Sequence, residues 1–292
     1  MKRFADYNPI SVFLFYAGVT LVVMFSMDPV LLALSLAGSL AVYAVVLGRK
    51  GRRGFWFYLV LPVILGIGNP LFNHNGMTVL FVLNNNPITL ESMCYGFAMG
   101  VMLTAVMLWF RSFSEIMTSD KLLYLFGSVS PKLALILSMT LRYIPLFRGQ
   151  IRKTQQAQKA LGLYKEDSIP DSIRGGIRIF SVMVSWALEN GVITADSMTA
   201  RGYGTRHRSR FAIFRFRRED GVLLGVSLVL TALVLLAFGL GAVDFVWYPA
   251  IRSGDRSVMS WVAYIAYGGL CVLPLILEGK EALRWRSLQS VM

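Results

Sequence analysis

Catalysis calls for nucleophiles, bases, metal ligands or phosphate cradles, and this chain of 292 residues is poor in all of them. It has two histidines, His74 and His207, and two cysteines, Cys94 and Cys271. Neither pair has the spacing of a metal site or a disulfide framework. Both cysteines lie in apolar runs and are read as small apolar residues. No glycine-rich loop ending in Lys-Ser/Thr is present, so the chain is not expected to hydrolyse ATP itself. No histidine-centred nucleophile arrangement is available either, which argues against an enzyme. The directional chemistry that remains is cationic. Ala200-Arg201-Gly202 stands near the end of a basic central stretch, and Ala160-Leu161-Gly162, preceded by Lys159, stands forty residues earlier. Glycine just past a helix can adopt the left-handed conformation and stop it. A small alanine before it keeps the tip narrow enough for a groove. Arg201 presents five fixed donors and a permanent charge, suited to a partner's carboxylate. The bland alternative is a solvated cation favoured by the helix dipole.

The elements that must position these tips are membrane helices. The chain is 55% hydrophobic with a mean hydropathy of +0.59. Apolar runs long enough to cross about 30 Å of hydrocarbon fall at residues 10–27, 30–47, 55–68, 90–110, 222–241 and 258–277. The third is short, carries Pro62, and can extend to Phe72. The first follows Lys2 and Arg3, runs long and lacks a small-residue cleavage site, so it is expected to be a retained anchor. The net charge is +13, and 18 of the 29 lysines and arginines lie within residues 111–218. Further cations precede the first run (Lys2, Arg3), separate the second from the third (Arg49, Lys50, Arg52, Arg53) and follow the last (Lys280, Arg284, Arg286). The other connections carry only Arg252 and Arg256, offset by Asp244 and Asp255. Cations at span ends hold a segment in the cytoplasm, so a multi-pass cell-membrane protein with both termini cytoplasmic is expected.

The expected fold is an all-α integral membrane protein with about six transmembrane helices and two long cytoplasmic helices. Its regions are residues 1–113 (four spans), 114–220 (the cytoplasmic helices) and 221–292 (two spans). In the central region, Ile173, Ile177, Phe180, Val184 and Ala187 recur at helical steps beside a polar stripe of Arg174, Arg178, Ser181, Ser185 and Glu189. Arg148, Arg152, Gln155 and Lys159 share a face of a helix expected to follow Pro145. By periodicity alone, interfacial helices held by anionic lipid rank equal to protein-docking helices, and the two tips favour docking. Glu189 and Asp196 are expected to pair with arginines on the crossing helix. Arg142 with Pro145 is expected to mark a kink, and Glu91 a charge in a helix's first turn. Between residues 69 and 89, asparagine-rich turns bracket a β-prone stretch, which predicts a hairpin or re-entrant loop. There His74 is more simply a loop residue than a substrate contact. A self-sufficient secondary transporter is the alternative function, but it would place ionisable residues inside spans, and these runs hold almost none. Nucleic acid is not an expected partner: Arg206, His207, Arg208, Arg210, Arg215, Arg217 and Arg218, mixed with phenylalanines, directly precede a span and form an interfacial collar at the lipid bilayer.

The segments 130–162, with Leu141-Arg142-Tyr143-Ile144-Pro145, and 172–204, with Ala195-Asp196-Ser197-Met198-Thr199-Ala200-Arg201-Gly202-Tyr203-Gly204, resemble the transmembrane T component of energy-coupling factor transporters, the CbiQ-like family of ABC-type importers. The resemblance implies a non-catalytic scaffold with two long coupling helices crossed in an X. Each tip would carry an Ala-Arg-Gly motif docked on one of two cytoplasmic ATPase subunits. A separate small membrane protein would capture the substrate, a vitamin or alternatively a transition-metal ion. No cofactor is implied on this chain, ATP-Mg being held by the partners. The docking residues carried over are Ala200, Arg201 and Gly202, together with Ala160, Leu161, Gly162 and the neighbouring Lys159. The first motif departs from the family's pattern, because Leu161 stands where the arginine would be.

Overall fold

The computed structural model describes residues 4–48, 51, 54–83, 86–163, 169–203, 214–254 and 257–289. Among them nine α-helices dominate: α1 (Pro9–Phe25), α2 (Pro29–Leu47), α3 (Phe55–Phe72), α4 (Leu90–Ile116), α5 (Ser119–Val129), α6 (Pro131–Ala160), α7 (Ile169–Ala200), α8 (Arg218–Gly239) and α9 (Val258–Gln289). Two small antiparallel hairpins join them, β1 (Val79–Leu83) with β2 (Asn86–Thr89) and β3 (Phe245–Val246) with β4 (Arg252–Ser253).

Local sequence sets where the helices begin. Asn8-Pro9, Asp28-Pro29 and Ser130-Pro131 each place proline at the first helical position, where its missing N–H costs nothing. The Asn8 side chain accepts from the N–H of Ile10 at 3.0 Å. Asp28 accepts from Val30 and Leu31 at 2.8 and 3.2 Å, and its other oxygen accepts from the Tyr264 hydroxyl at 3.0 Å, tying α2 to α9. At the start of α8, the Asp220 carboxylate is wholly buried. It accepts from the backbone N–H groups of Asn8 and Arg217, both at 2.9 Å, and so joins the first and eighth helices.

The chain forms two compact units, residues 1–122 with 214–292, and residues 123–213. The core of the first is built around edge-to-face aromatics: Phe15 and Tyr16 both pack on Trp109, whose indole N–H donates to Ser35 at 3.1 Å. α3 lies close on α4, so close that a β-carbon at Gly100 would strike Pro62. The outward side chains are apolar, with Phe25, Phe72 and Ile265 more than two-thirds exposed. Such a surface suits acyl chains rather than water. The chain is an all-α, multi-pass integral membrane protein.

All six segments predicted to span are helical, and five of them (α2, α3, α4, α8 and residues 258–280 of α9) are long and apolar enough to cross. α1 is shorter, at 17 residues. It covers about 26 Å at 1.5 Å per residue, because Ser26 ends it and the Asp28-Pro29 cap starts the next helix. The sixth helix that is long and apolar enough is residues 170–200 of α7, a helix expected from the sequence to lie outside the bilayer. Its apolar stripe supplies the hydropathy: Ile173, Ile177, Phe180, Leu188 and Val192 are all more than half exposed.

Three other expectations change. α6 does not begin after Pro145 but runs unbroken from Pro131, with that proline inside it. The bracketing asparagines do not all lie in turns, since Asn86 and Pro87 belong to β2. α5 was not anticipated. Its Lys121 is buried and donates to the carbonyls of Ile116, at 2.9 Å, and Ala5, closing the end of α4. Burial draws the Lys121 ammonium below the usual lysine range, and the Asp6 carboxylate partly offsets this.

Candidate docking site at two helix tips

In the second unit, α6 and α7 pack through aromatic and hydroxyl contacts. The Phe147 ring meets Trp186 edge-on at 5.5 Å. The hydroxyls of Tyr143 and Thr194 are 2.9 Å apart. Beyond the end of α6, Arg178 donates to the Leu163 carbonyl at 3.3 Å. Residue numbers rise along α6 as they fall along α7, so the pair is antiparallel and the two tips point in opposite senses. From Arg178, beside the first tip, to Ala200 is about 33 Å of helix. Glu189 and Asp196 pair with no arginine among the described residues, contrary to expectation. The contacting positions on α6, Tyr143 and Phe147, offer a phenol and a phenyl ring instead of a cation. The ion pair seen among the described residues joins Asp171 and Arg174 within α7, at 4.0 Å and on the surface.

Both tips close with the same backbone motif. After α7, Gly202 has φ +76°, its N–H donates to the Thr199 carbonyl at 3.0 Å, and the N–H of Tyr203 donates to Met198 at 3.1 Å. After α6, Gly162 has φ +69°, its N–H donates to Lys159 at 3.0 Å, and the N–H of Leu163 donates to Gln158 at 2.9 Å. These paired bonds satisfy carbonyls that a helix end leaves open. Leu161 and Arg201 therefore occupy equivalent cap positions on equivalent scaffolds. Ala160, Leu161 and Gly162 are exposed, as are Ala200, Arg201 and Gly202. Lys159 is exposed on the last turn of α6. Among the described residues, the Arg201 guanidinium has no partner. Leu161 is 71% exposed.

Leu163 and Tyr203 occupy matching positions just past each glycine and are both about half exposed; sequence reasoning quoted Tyr203 in the resembling segment but gave neither residue a docking role. Their spacing from Gly162 and Gly202 was the available signal. It also missed Gln158, whose buried side-chain oxygen has no hydrogen-bond partner among the described residues. In the first unit, Glu91 is buried in the first turn of α4 and accepts from the Thr78 hydroxyl at 2.8 Å and the Thr78 N–H at 3.2 Å. With Asn75 and Asn73 accepting from Thr89 and Ser92, it fastens the loop before α4. His74 belongs to this fastened loop. His207 and the collar residues Arg206, Arg208 and Arg210 lie outside the described residues, as does Gly204.

Comparison with known proteins decides the family. Residues 7–213 match the family described as CbiQ, cobalt transport protein. The chain belongs to the CbiQ family. Within it, the energy-coupling factor transporter transmembrane protein EcfT of Listeria innocua is 29% identical over 197 residues, which cover 63% of this chain and 73% of that protein. EcfT of Bacillus selenitireducens is 28% identical over 236 residues, 74% of this chain and 86% of that protein. EcfT of Lacticaseibacillus paracasei is 34% identical over 107 residues, 36% of this chain; the match spans 40% of that relative's length. This CbiQ-family chain is thus similar to the transmembrane component of energy-coupling factor transporters.

Proposed function

We propose that this chain is the non-catalytic membrane scaffold of an energy-coupling factor importer. Its two helix tips dock on two cytoplasmic ABC ATPases, and a separate small membrane protein captures the substrate and sets the selectivity. ATP binding draws the ATPases together and moves the tips, and the long helices pass the motion to the capture subunit, whose cargo is a vitamin. The chain itself holds no ATP-Mg; that belongs to the ATPases. Both termini and both tips face the cytoplasm.

The observation that carries this reading is the pair of tips: equivalent in backbone, exposed, and about 33 Å of helix apart, on a chain of the CbiQ family. Two docking points at the ends of an antiparallel helix pair suit two partner subunits better than one. Their chemistry differs. Arg201 offers a directional charge for a carboxylate, whereas Leu161 offers apolar area, with Lys159 as a point charge nearby.

The test is co-purification of the full chain with its ATPases, together with uptake. Removing one member of a desolvated ion pair costs about 2–5 kcal/mol, roughly 30-fold to several-thousand-fold in affinity. Arg201→Ala is expected to lose ATPase recovery and uptake while inserting normally. Arg201→Lys is expected to restore only part, because an ammonium cannot reproduce the two-pronged guanidinium contact. Undiminished recovery and uptake in Arg201→Ala would sink the docking role.

A further inference from the structure

At the end of the first unit that carries both hairpins, a cavity of about 840 Å³ opens between helices α2, α3 and α4 and the hairpin formed by β3 and β4. Its wall is apolar throughout: Ala33 and Leu36 from α2, Val63 and Ile67 from α3, Phe97 and Val101 from α4. Trp247 and Ile251 close its end. Among the described residues, the Cys94 thiol is the one ionisable group in its lining.

We propose that this groove holds the acyl chains of one phospholipid from the adjacent leaflet. Depth is the first argument. Along α4 the lining runs from Met93 to Val101, about 12 Å at 1.5 Å per residue, close to half of a hydrocarbon core of about 30 Å. The groove therefore reaches as far as one leaflet's chains reach. Level is the second. Trp247 lies against Phe245 at 4.7 Å and Tyr95 at 6.1 Å, Tyr95 lies against Tyr248 at 5.2 Å, and the Trp247 indole N–H donates to the Met27 carbonyl at 3.1 Å. An aromatic cluster at the ends of spans marks the headgroup level, so the groove starts at the headgroups and runs inward. Finally, the groove is continuous with a lipid-facing belt: Val63, Ile67, Met93 and Phe97 are each 46–61% exposed and apolar.

The chain carries its own reporter. Cys94 lines the groove and is partly exposed, whereas Cys271 is 2% exposed, its β-carbon lying where a side chain on Gly38 would sit. The full chain is placed in nanodiscs of dioleoyl phosphatidylglycerol, or stripped in detergent and resupplied with either that lipid or its dihexanoyl analogue. Alkylation by N-ethylmaleimide is followed at each cysteine by peptide mapping, and retained lipid is counted by native mass spectrometry. One retained lipid is expected, with Cys94 alkylated at least fivefold more slowly with long chains than with short ones. Ala33→Phe, which fills the groove, is expected to lose the retained lipid and the dependence on chain length. Continued protection of Cys271 reports that the variant is folded. If Cys271 becomes reactive in Ala33→Phe, Val63→Phe supplies the same reading from the opposite wall. Equal Cys94 rates with both lipids and no retained lipid would overturn the proposal. So would protection of Cys94 that appears only when a second membrane protein is co-reconstituted.

Discussion

Asp220 shows how much one side chain can hold. It is fully buried at the first turn of α8, and its two oxygens take the N–H of Asn8 and the N–H of Arg217. The first ties α8 to the start of α1, more than two hundred residues away in sequence. The second caps the helix to which the basic segment connects. Replacement by alanine strands both donors, and each buried donor left without a partner costs about 1–3 kcal/mol. Asp220→Ala is expected to lower the thermal midpoint of the full chain by several degrees, whereas Asp220→Asn, which keeps one acceptor, should lower it by less. Thermal unfolding followed by tryptophan fluorescence checks this. An unchanged midpoint in Asp220→Ala would show that water replaces the carboxylate.

At the level of elements, the tips depend on glycine. Gly162 and Gly202 adopt left-handed φ values of +69° and +76°, where a β-carbon costs roughly 1–2 kcal/mol. Gly202→Ala is expected to fray the end of α7, displace Arg201 and weaken ATPase recovery without changing the thermal midpoint. Gly202→Asn should retain most of the recovery, because asparagine tolerates that conformation. Equal loss in both variants would point to steric crowding in the partner's groove instead. These glycines show why the tips were legible in the sequence: a helix stop is a local event written in one or two residues. Most spans were legible for a similar reason, since an apolar run marks them, although the short α1 and the long α7 show that length alone does not decide which helices cross. The pairing of α6 with α7 was not legible. Glu189 and Asp196 are spaced to suit ion pairs, yet the neighbouring helix meets α7 with Tyr143 and Phe147, a choice set by which residues lie opposite after folding. α5 was missed because 11 residues carry too few helical repeats to stand out. The burial of Lys121 depends on the Ala5 carbonyl, distant in sequence.

For the molecule as a whole, α7 decides the topology across the bilayer. By length and apolar content it could cross. Its 32 residues cover about 48 Å, and a crossing centred on them would bury Arg178 and Glu189 in hydrocarbon. Translocon-based scales put an arginine at mid-bilayer at about +2.5 to +3.5 kcal/mol, and among the described residues these two are not paired with an opposite charge. Parity gives a second argument. If α1 to α4, α8 and α9 cross and α7 does not, the termini share one side, and all the cations except Arg252 and Arg256 share it with them. One further crossing by α7 would separate the termini and split the cations, against the usual bias of lysine and arginine toward the cytoplasm. α7 is therefore expected at the cytoplasmic face, with Arg201 on the side where ATP is available. In intact cells, a membrane-impermeant maleimide should label Arg252→Cys directly and Arg201→Cys only after permeabilisation, with the parent chain, whose Cys94 and Cys271 lie within spans, as the blank. Labelling of Arg201→Cys from outside would put the tip where no nucleotide-driven partner could reach it, and the coupling role would fall with it.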